Sequence, residues 1–160
     1  MVMPAEKLTV SSWRGRLWRY GPLALWLSFI FNASTGAMAA SETSRIMGPL
    51  LRWLFPDISA IALAHAHFLT RKLAHFAVYA LLALLAARAF ITSSQATLRR
   101  AWFAASLLLV IVYSLFDEYH QSLVPSRTGT IWDSLIDIAG GFTALMCLSL
   151  RRTGHRTKTS

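Results

Sequence analysis

The chain has 160 residues, of which 55% are hydrophobic and 14% charged, and it carries a net charge of +9. Soluble domains carry about 25% charged residues, so this composition points to lipid around much of the surface, and the length allows one domain. The basic residues cluster between apolar blocks rather than along one face, which leaves a soluble helical nucleic-acid binder as a distant fourth reading, and the single cysteine, Cys147, excludes an intrachain disulfide or a cysteine-based zinc site.

Crossing ~30 Å of hydrocarbon takes roughly 20 apolar residues in a helix. Residues 1–20 form a basic segment, and the first predicted crossing runs from Gly21 to Ala40. Residues 41–70 contain no clean spanning run: Leu50, Leu51, Trp53, Leu54 and Phe55 surround Arg52, Pro56 interrupts the helix, and a weakly apolar stretch follows from Ile58 to Phe68. Two short helices lying at the outer interface are expected there, with tryptophan and arginine straddling the headgroups. The second crossing is predicted over Leu73–Ile91, the third over Ala101–His120 and the fourth over Ile131–Leu150. Residues 151–160 are a basic tail. The expected fold is an all-α integral membrane bundle of four transmembrane helices over residues 21–150. In a competing reading, residues 1–39 are a secretory signal cleaved after the Ala37-Met38-Ala39 triplet, leaving three crossings.

The flanking charges set an expected orientation. Eleven Lys and Arg lie on the side of the two termini and of the connection between the second and third crossings, and five lie on the other side. The positive-inside rule then places both termini in the cytoplasm. Six of the seven acidic residues fall on the outer, cation-poor side.

Ionisable groups inside apolar helices cost several kcal/mol unless partnered, so their positions are informative. Asp133 and Asp137 are one turn apart in the fourth crossing, and Gly141 continues their stripe. That stripe is expected to face other helices, with Gly140 and Gly141 permitting close approach. Tyr113, Asp117 and Gln121 share a face at the end of the third crossing, beside Glu118 and His120. Pro125 stops that helix, and Arg127 follows in the turn between two acidic helix ends. Lys72, His75 and Tyr79 share a face at the start of the second crossing. All three clusters are expected at one outer end of the bundle. Structural ion pairing is the plain alternative to a site for these groups, as interfacial snorkelling is for Lys72. Asn32, Ser34 and Thr35 are expected to supply helix–helix hydrogen bonds.

On these residues the sequence resembles the VanZ-like family of small bacterial membrane proteins. Lys72-x-x-His75-x-x-x-Tyr79 is similar to the family's lysine–histidine–tyrosine pattern, and Glu118-x-x-Gln121-x-x-x-Pro125-x-Arg127 to its glutamate–glutamine–proline–arginine signature. Asp133-x-x-x-Asp137-x-x-Gly140 resembles its closing aspartate–Asn/Asp–glycine run, and the likeness covers about residues 20–150. Arg71 stands where the pattern leads one to expect an acidic residue, and Ser126 where glycine is common. The resemblance implies a bacterial cytoplasmic-membrane protein linked to teicoplanin-type resistance, without a stated mechanism.

Three functional readings follow. In the first, Lys72, His75, Tyr79, Asp117, Glu118, Gln121, Arg127, Asp133 and Asp137 bind an anionic envelope-lipid headgroup or a lipophilic glycopeptide antibiotic at the outer face. Lys72 and Arg127 grip phosphate or carboxylate, and the acids orient them; the local acid excess argues against a simple anion trap. In the second, the same groups form a membrane enzyme acting on a lipid headgroup, with His75 as acid/base. In the third, Asp137 makes the chain a small proton-linked transporter, although no internal repeat is visible. Membrane lipids are the expected partners; no cofactor, metal or nucleic acid is expected, and the sequence does not give the oligomeric state.

Overall fold

The computed structural model describes residues 6–34, 40–123 and 131–156. Among these residues the chain is helical, without strands, in the order α1 (Glu6–Asn32), α2 (Ala40–Leu54), α3 (Ala60–Ile91), α4 (Ala96–Arg100), α5 (Trp102–Ser122) and α6 (Ile131–Arg156). Three helices, α3, α5 and α6, are long and apolar enough to cross a membrane. Large apolar side chains such as Leu73, Leu84, Leu108, Val112 and Leu150 point outward from them. In a lipid environment such residues need no protein partner. Cys147 is exposed on the surface of α6.

The second expected crossing is longer than predicted. No Gly or Pro occurs between Ala60 and Ile91, so nothing halts the helix, and α3 runs unbroken for 32 residues, roughly 48 Å. The stretch Ile58–Phe68, expected as a separate interfacial helix, is therefore mostly the first third of α3. Its start is capped by Ser59, whose Oγ accepts a hydrogen bond from the Ala62 N–H at 3.1 Å. Its end is closed by Thr92, whose N–H and hydroxyl both donate to the Arg88 carbonyl. Only α2 remains as the short helix preceding α3; Leu50, Trp53 and Leu54 on it are exposed.

α1 also begins earlier than expected, passing through Gly21 and Pro22 without a break. Proline has no N–H, so the carbonyl one turn back, that of Trp18, loses its intrahelical donor. Arg88 of α3 supplies the replacement, its Nη2 donating to that oxygen at 3.1 Å. Further tethers hold α1 to the bundle: Tyr20 Oη donates to Ser93 Oγ at 2.9 Å, Trp26 Nε1 to the Val78 carbonyl at 3.0 Å, and Tyr113 Oη of α5 to the Leu27 carbonyl at 2.6 Å. The far end of the first expected crossing, up to Ala40, runs through residues 35–39, which lie outside the described residues.

The core is built on small residues. α3 buries Ala83, Ala86, Ala87 and Ala89 beside Leu82, and α6 buries Gly140, Gly141 and Leu145. A β-carbon on Gly140 would collide with the Phe76 carbonyl oxygen and stand 3.0 Å from that residue's carbonyl carbon and Cα. The two backbones touch there, as the expected glycine face requires. Gly141 faces the side chain of Val110 of α5 less tightly, with Cγ1 2.7 Å from where a β-carbon would sit. α6 is thus wedged against α3 and α5 at consecutive positions, and this fixes which polar side chains meet above.

Candidate functional site

One turn and more above the Gly140 contact, the polar faces of α3 and α6 pair residue by residue. Asp133 is 2% exposed and receives an ion pair from Lys72 Nζ. The guanidinium of Arg71 reaches the other carboxylate oxygen of Asp133, Nη2 to Oδ2 at 3.5 Å. One turn deeper, Asp137 is fully buried, and its Oδ1 lies 3.0 Å from His75 Nδ1. Tyr79, a further turn along α3, is 1% exposed. The register follows from helix geometry: residues i and i+4 on α6 meet residues three apart on α3.

α5 and α1 close the other side. Asp117 is buried, and its two carboxylate oxygens are divided between helices: Oδ2 accepts from Gln121 Nε2 at 2.9 Å, and Oδ1 accepts from the Ser34 hydroxyl. Ser34 reaches it from a π-turn, Ala33–Ser34, that ends α1. Such turns widen the helix and re-aim the side chains that leave it. Glu118 and Gln121 are buried beside Asp117. Phe31 of α1 stacks on His120 of α5, with ring centroids 4.8 Å apart. Ser114 and Ser134 exchange hydrogen bonds with each other's carbonyls at 3.3 and 3.5 Å, fastening α5 to α6 just below the acids.

Of the nine residues singled out from the sequence, Lys72, His75, Tyr79, Asp117, Glu118, Gln121, Asp133 and Asp137 all lie at the same end of the α3–α5–α6 bundle, and Arg127 lies outside the described residues. Sequence reasoning did not find three of the connections. Arg71, read as a departure from pattern, is a second cation on Asp133. The Ser114–Ser134 exchange gave no signal, because serine in an apolar helix is common and its partner is not written locally. Ser34 was expected to bond another helix, but not to bond a carboxylate.

The electrostatics are lopsided. Four carboxylates, those of Asp117, Glu118, Asp133 and Asp137, are buried here, whereas the side chains of Lys72 and Arg71 are 16% and 37% exposed. The cations therefore stand nearer the rim and the acids nearer the interior. Buried charge without a partner is expensive, and each of Asp117, Asp133 and Asp137 has at least one donor. Asp137 Oδ2 is buried without a hydrogen-bond partner, and the buried Tyr79 hydroxyl lies toward Asp117. Among the described residues, no group of three or more His, Cys, Asp or Glu side chains is placed to hold a metal ion.

A helical bundle with lipid-facing apolar sides and a polar cluster at one end defines a multi-pass membrane protein. A model of the VanZ/LLP1 family matches residues 19–152, and the chain belongs to that family. No curated protein and no solved structure gives a significant match.

Proposed function

We propose that the chain is a binding protein of the bacterial cell envelope that takes the headgroup of an anionic envelope lipid, or of a lipophilic glycopeptide, at the outer face of the cytoplasmic membrane. In this reading α1 is a fourth crossing and both termini are cytoplasmic, as the charge distribution favours. The observation that carries the proposal is the arrangement on Asp133. A single buried carboxylate holds two cations, Lys72 and Arg71, that are both more exposed than it is. Ammonium and guanidinium have more donors than one carboxylate can use, so those facing the rim remain for a phosphate or carboxylate. Arg127 adds a planar fork suited to the same groups. The acids behind the rim suit a headgroup that also offers hydroxyl or amine donors. A role in teicoplanin-type resistance follows from family membership, and it belongs to the same proposal.

The test is lipid analysis of the purified protein, comparing wild type with Arg127→Ala and Lys72→Ala, together with teicoplanin susceptibility of cells carrying each. A headgroup enriched on wild type and lost from both variants supports binding. Identical lipid profiles and identical susceptibility in folded protein would sink it.

A second reading, an enzyme acting on a lipid headgroup, is favoured by the His75–Asp137 pair. A carboxylate on one imidazole nitrogen orients the ring and leaves the other nitrogen for proton transfer. Turnover of a lipid substrate that disappears in His75→Ala but survives in His75 wild type with Arg127→Ala separates catalysis from binding.

A further inference from the structure

The opposite end of the bundle is as strongly basic as the first is acidic. α1 begins there, α3 ends there, α5 starts there and α6 finishes there. Ser93, 2% exposed, is the hub. Its Oγ accepts from Tyr20 Oη at 2.9 Å and from the Gln95 N–H at 3.1 Å, and its carbonyl accepts from Arg99 Nη1 at 2.6 Å. The same nitrogen of Arg99 also donates to the Ser94 carbonyl at 2.8 Å. Arg152 of α6 lies over the Trp102 ring, its guanidinium carbon 5.7 Å from the centroid. Arg100 closes α4, directly before α5, and is exposed. The acidic residues with described side chains, Asp57, Asp117, Glu118, Asp133 and Asp137, all lie toward the other end of the bundle.

Three features distinguish this end from a merely solvated basic surface. Arg99 and Arg152 are held in place, by two carbonyls and by an indole face, so ordering them around a ligand costs less side-chain entropy. Arg99 spends one terminal nitrogen on those carbonyls and keeps its remaining donors. Exposed Trp18 and half-buried Trp102 supply amphipathic rings of the kind that sit at headgroup depth. Guanidinium groups engage phosphate through paired N–H donors.

We propose that Arg99, Arg100 and Arg152, around the α4–α5 junction, form a docking site for the phosphodiester of an anionic membrane phospholipid. This site is separate from the carboxylate end and does not depend on what that end binds. Fixed arginines near a headgroup layer draw anionic lipid by roughly fivefold each.

The experiment reconstitutes the full chain in an equimolar mixture of phosphatidylglycerol and phosphatidylcholine, then counts retained lipids by native mass spectrometry after mild delipidation. Wild type should retain phosphatidylglycerol over phosphatidylcholine by about fivefold or more. Arg100→Gln combined with Arg152→Gln should cut that preference at least fivefold, whereas Arg52→Gln, at an exposed position of α2 outside both sites, should keep the wild-type preference. Should that double variant fail to fold, Arg100→Gln alone, at an exposed position, should at least halve the preference. Equal retention of the two lipids by wild type overturns the proposal. So does a preference that survives removal of these arginines, or one that Arg52→Gln abolishes.

Discussion

Gly140 of α6 rests on the carbonyl of Phe76 in α3, and no side chain larger than hydrogen fits between them. That contact sets the register in which Lys72 meets Asp133 and His75 meets Asp137. Gly140→Ala must push two backbones apart and should cost about 1–3 kcal/mol, the range for overpacking. Gly141→Ala meets only the methyl groups of Val110 and should cost less. It should also be rescued by Val110→Ala, a rescue unavailable to Gly140→Ala. Gly15→Ala and Gly154→Ala, inside helices where an added β-carbon meets nothing, should stabilise by about 0.5–1 kcal/mol, because alanine is the better helix former. Thermal unfolding in detergent, followed by size-exclusion chromatography, checks all of these.

The Trp18 carbonyl that Pro22 leaves without a donor is served by Arg88. Restoring the N–H with Pro22→Ala makes the arginine redundant. Arg88→Gln should therefore destabilise the wild type by about 1 kcal/mol and the Pro22→Ala protein by distinctly less. Equal effects in the two backgrounds, measured as a double-mutant cycle, would show that the two residues are not coupled.

Asp133 carries two cations, and they are not equivalent to the acid. Removing Asp133 with Asp133→Ala leaves Lys72 and Arg71 able to extend toward water, whereas removing both cations strands a buried carboxylate. Lys72→Met should be mild, because Arg71 remains. Arg71→Met with Lys72→Met should cost about 3–5 kcal/mol, the penalty for orphaning a buried ion, and more than the sum of the single changes. Unfolding midpoints of Asp133→Ala, Lys72→Met, Arg71→Met and the double variant decide this.

Ser34 ties the end of α1 to Asp117. Ser34→Ala removes a donor from a buried carboxylate and should cost about 1–3 kcal/mol. Asp117→Asn keeps an oxygen for Ser34 but sets its NH2 against Gln121 Nε2, so it should cost a similar amount. A serine variant that leaves stability untouched would show that α1 is not held by this bond.

Topology is testable through the lone cysteine. Cys147 is exposed, so Cys147→Ser should fold normally. Single cysteines placed at Trp13 and at Gly154 should then label from the same side of the membrane, and one at Asp57 from the other. Labelling of Trp13→Cys and Gly154→Cys from opposite sides would mean that α1 does not cross.

The polar faces were legible in the sequence because helical spacing is local: Lys72, His75 and Tyr79 declare one face, Asp133 and Asp137 another. The glycine contact was legible as a possibility, but not its partner, since nothing near Gly140 names Phe76. Which cation meets which acid was likewise hidden, because it depends on the axial register of α3 against α6. The first third of α3 was missed for a different reason. The stretch Ile58–Phe68 is only weakly apolar and is followed by the polar run Thr70-Arg71-Lys72, so a separate short helix is expected before a crossing that begins at Leu73; continuity is written instead in the absence of any breaker and in the cap at Ser59. The early start of α1 was missed because Gly21-Pro22 resembles a boundary, and the Arg88 hydrogen bond that serves the Trp18 carbonyl behind the proline comes from 70 residues further along the chain.

The length of α3 has one more implication. Counted back from Ile91 at the helical rise, a hydrocarbon layer of ~30 Å is used up close to Lys72. The three turns and more from Ala60 to Arg71 would then extend past a layer of that depth as a mast, with His65 and His67 on it. A rod without a joint carries any push or pull on that mast straight down to the lysine and histidine at its foot. A displacement of that mast would therefore move the Lys72–Asp133 and His75–Asp137 pairs together.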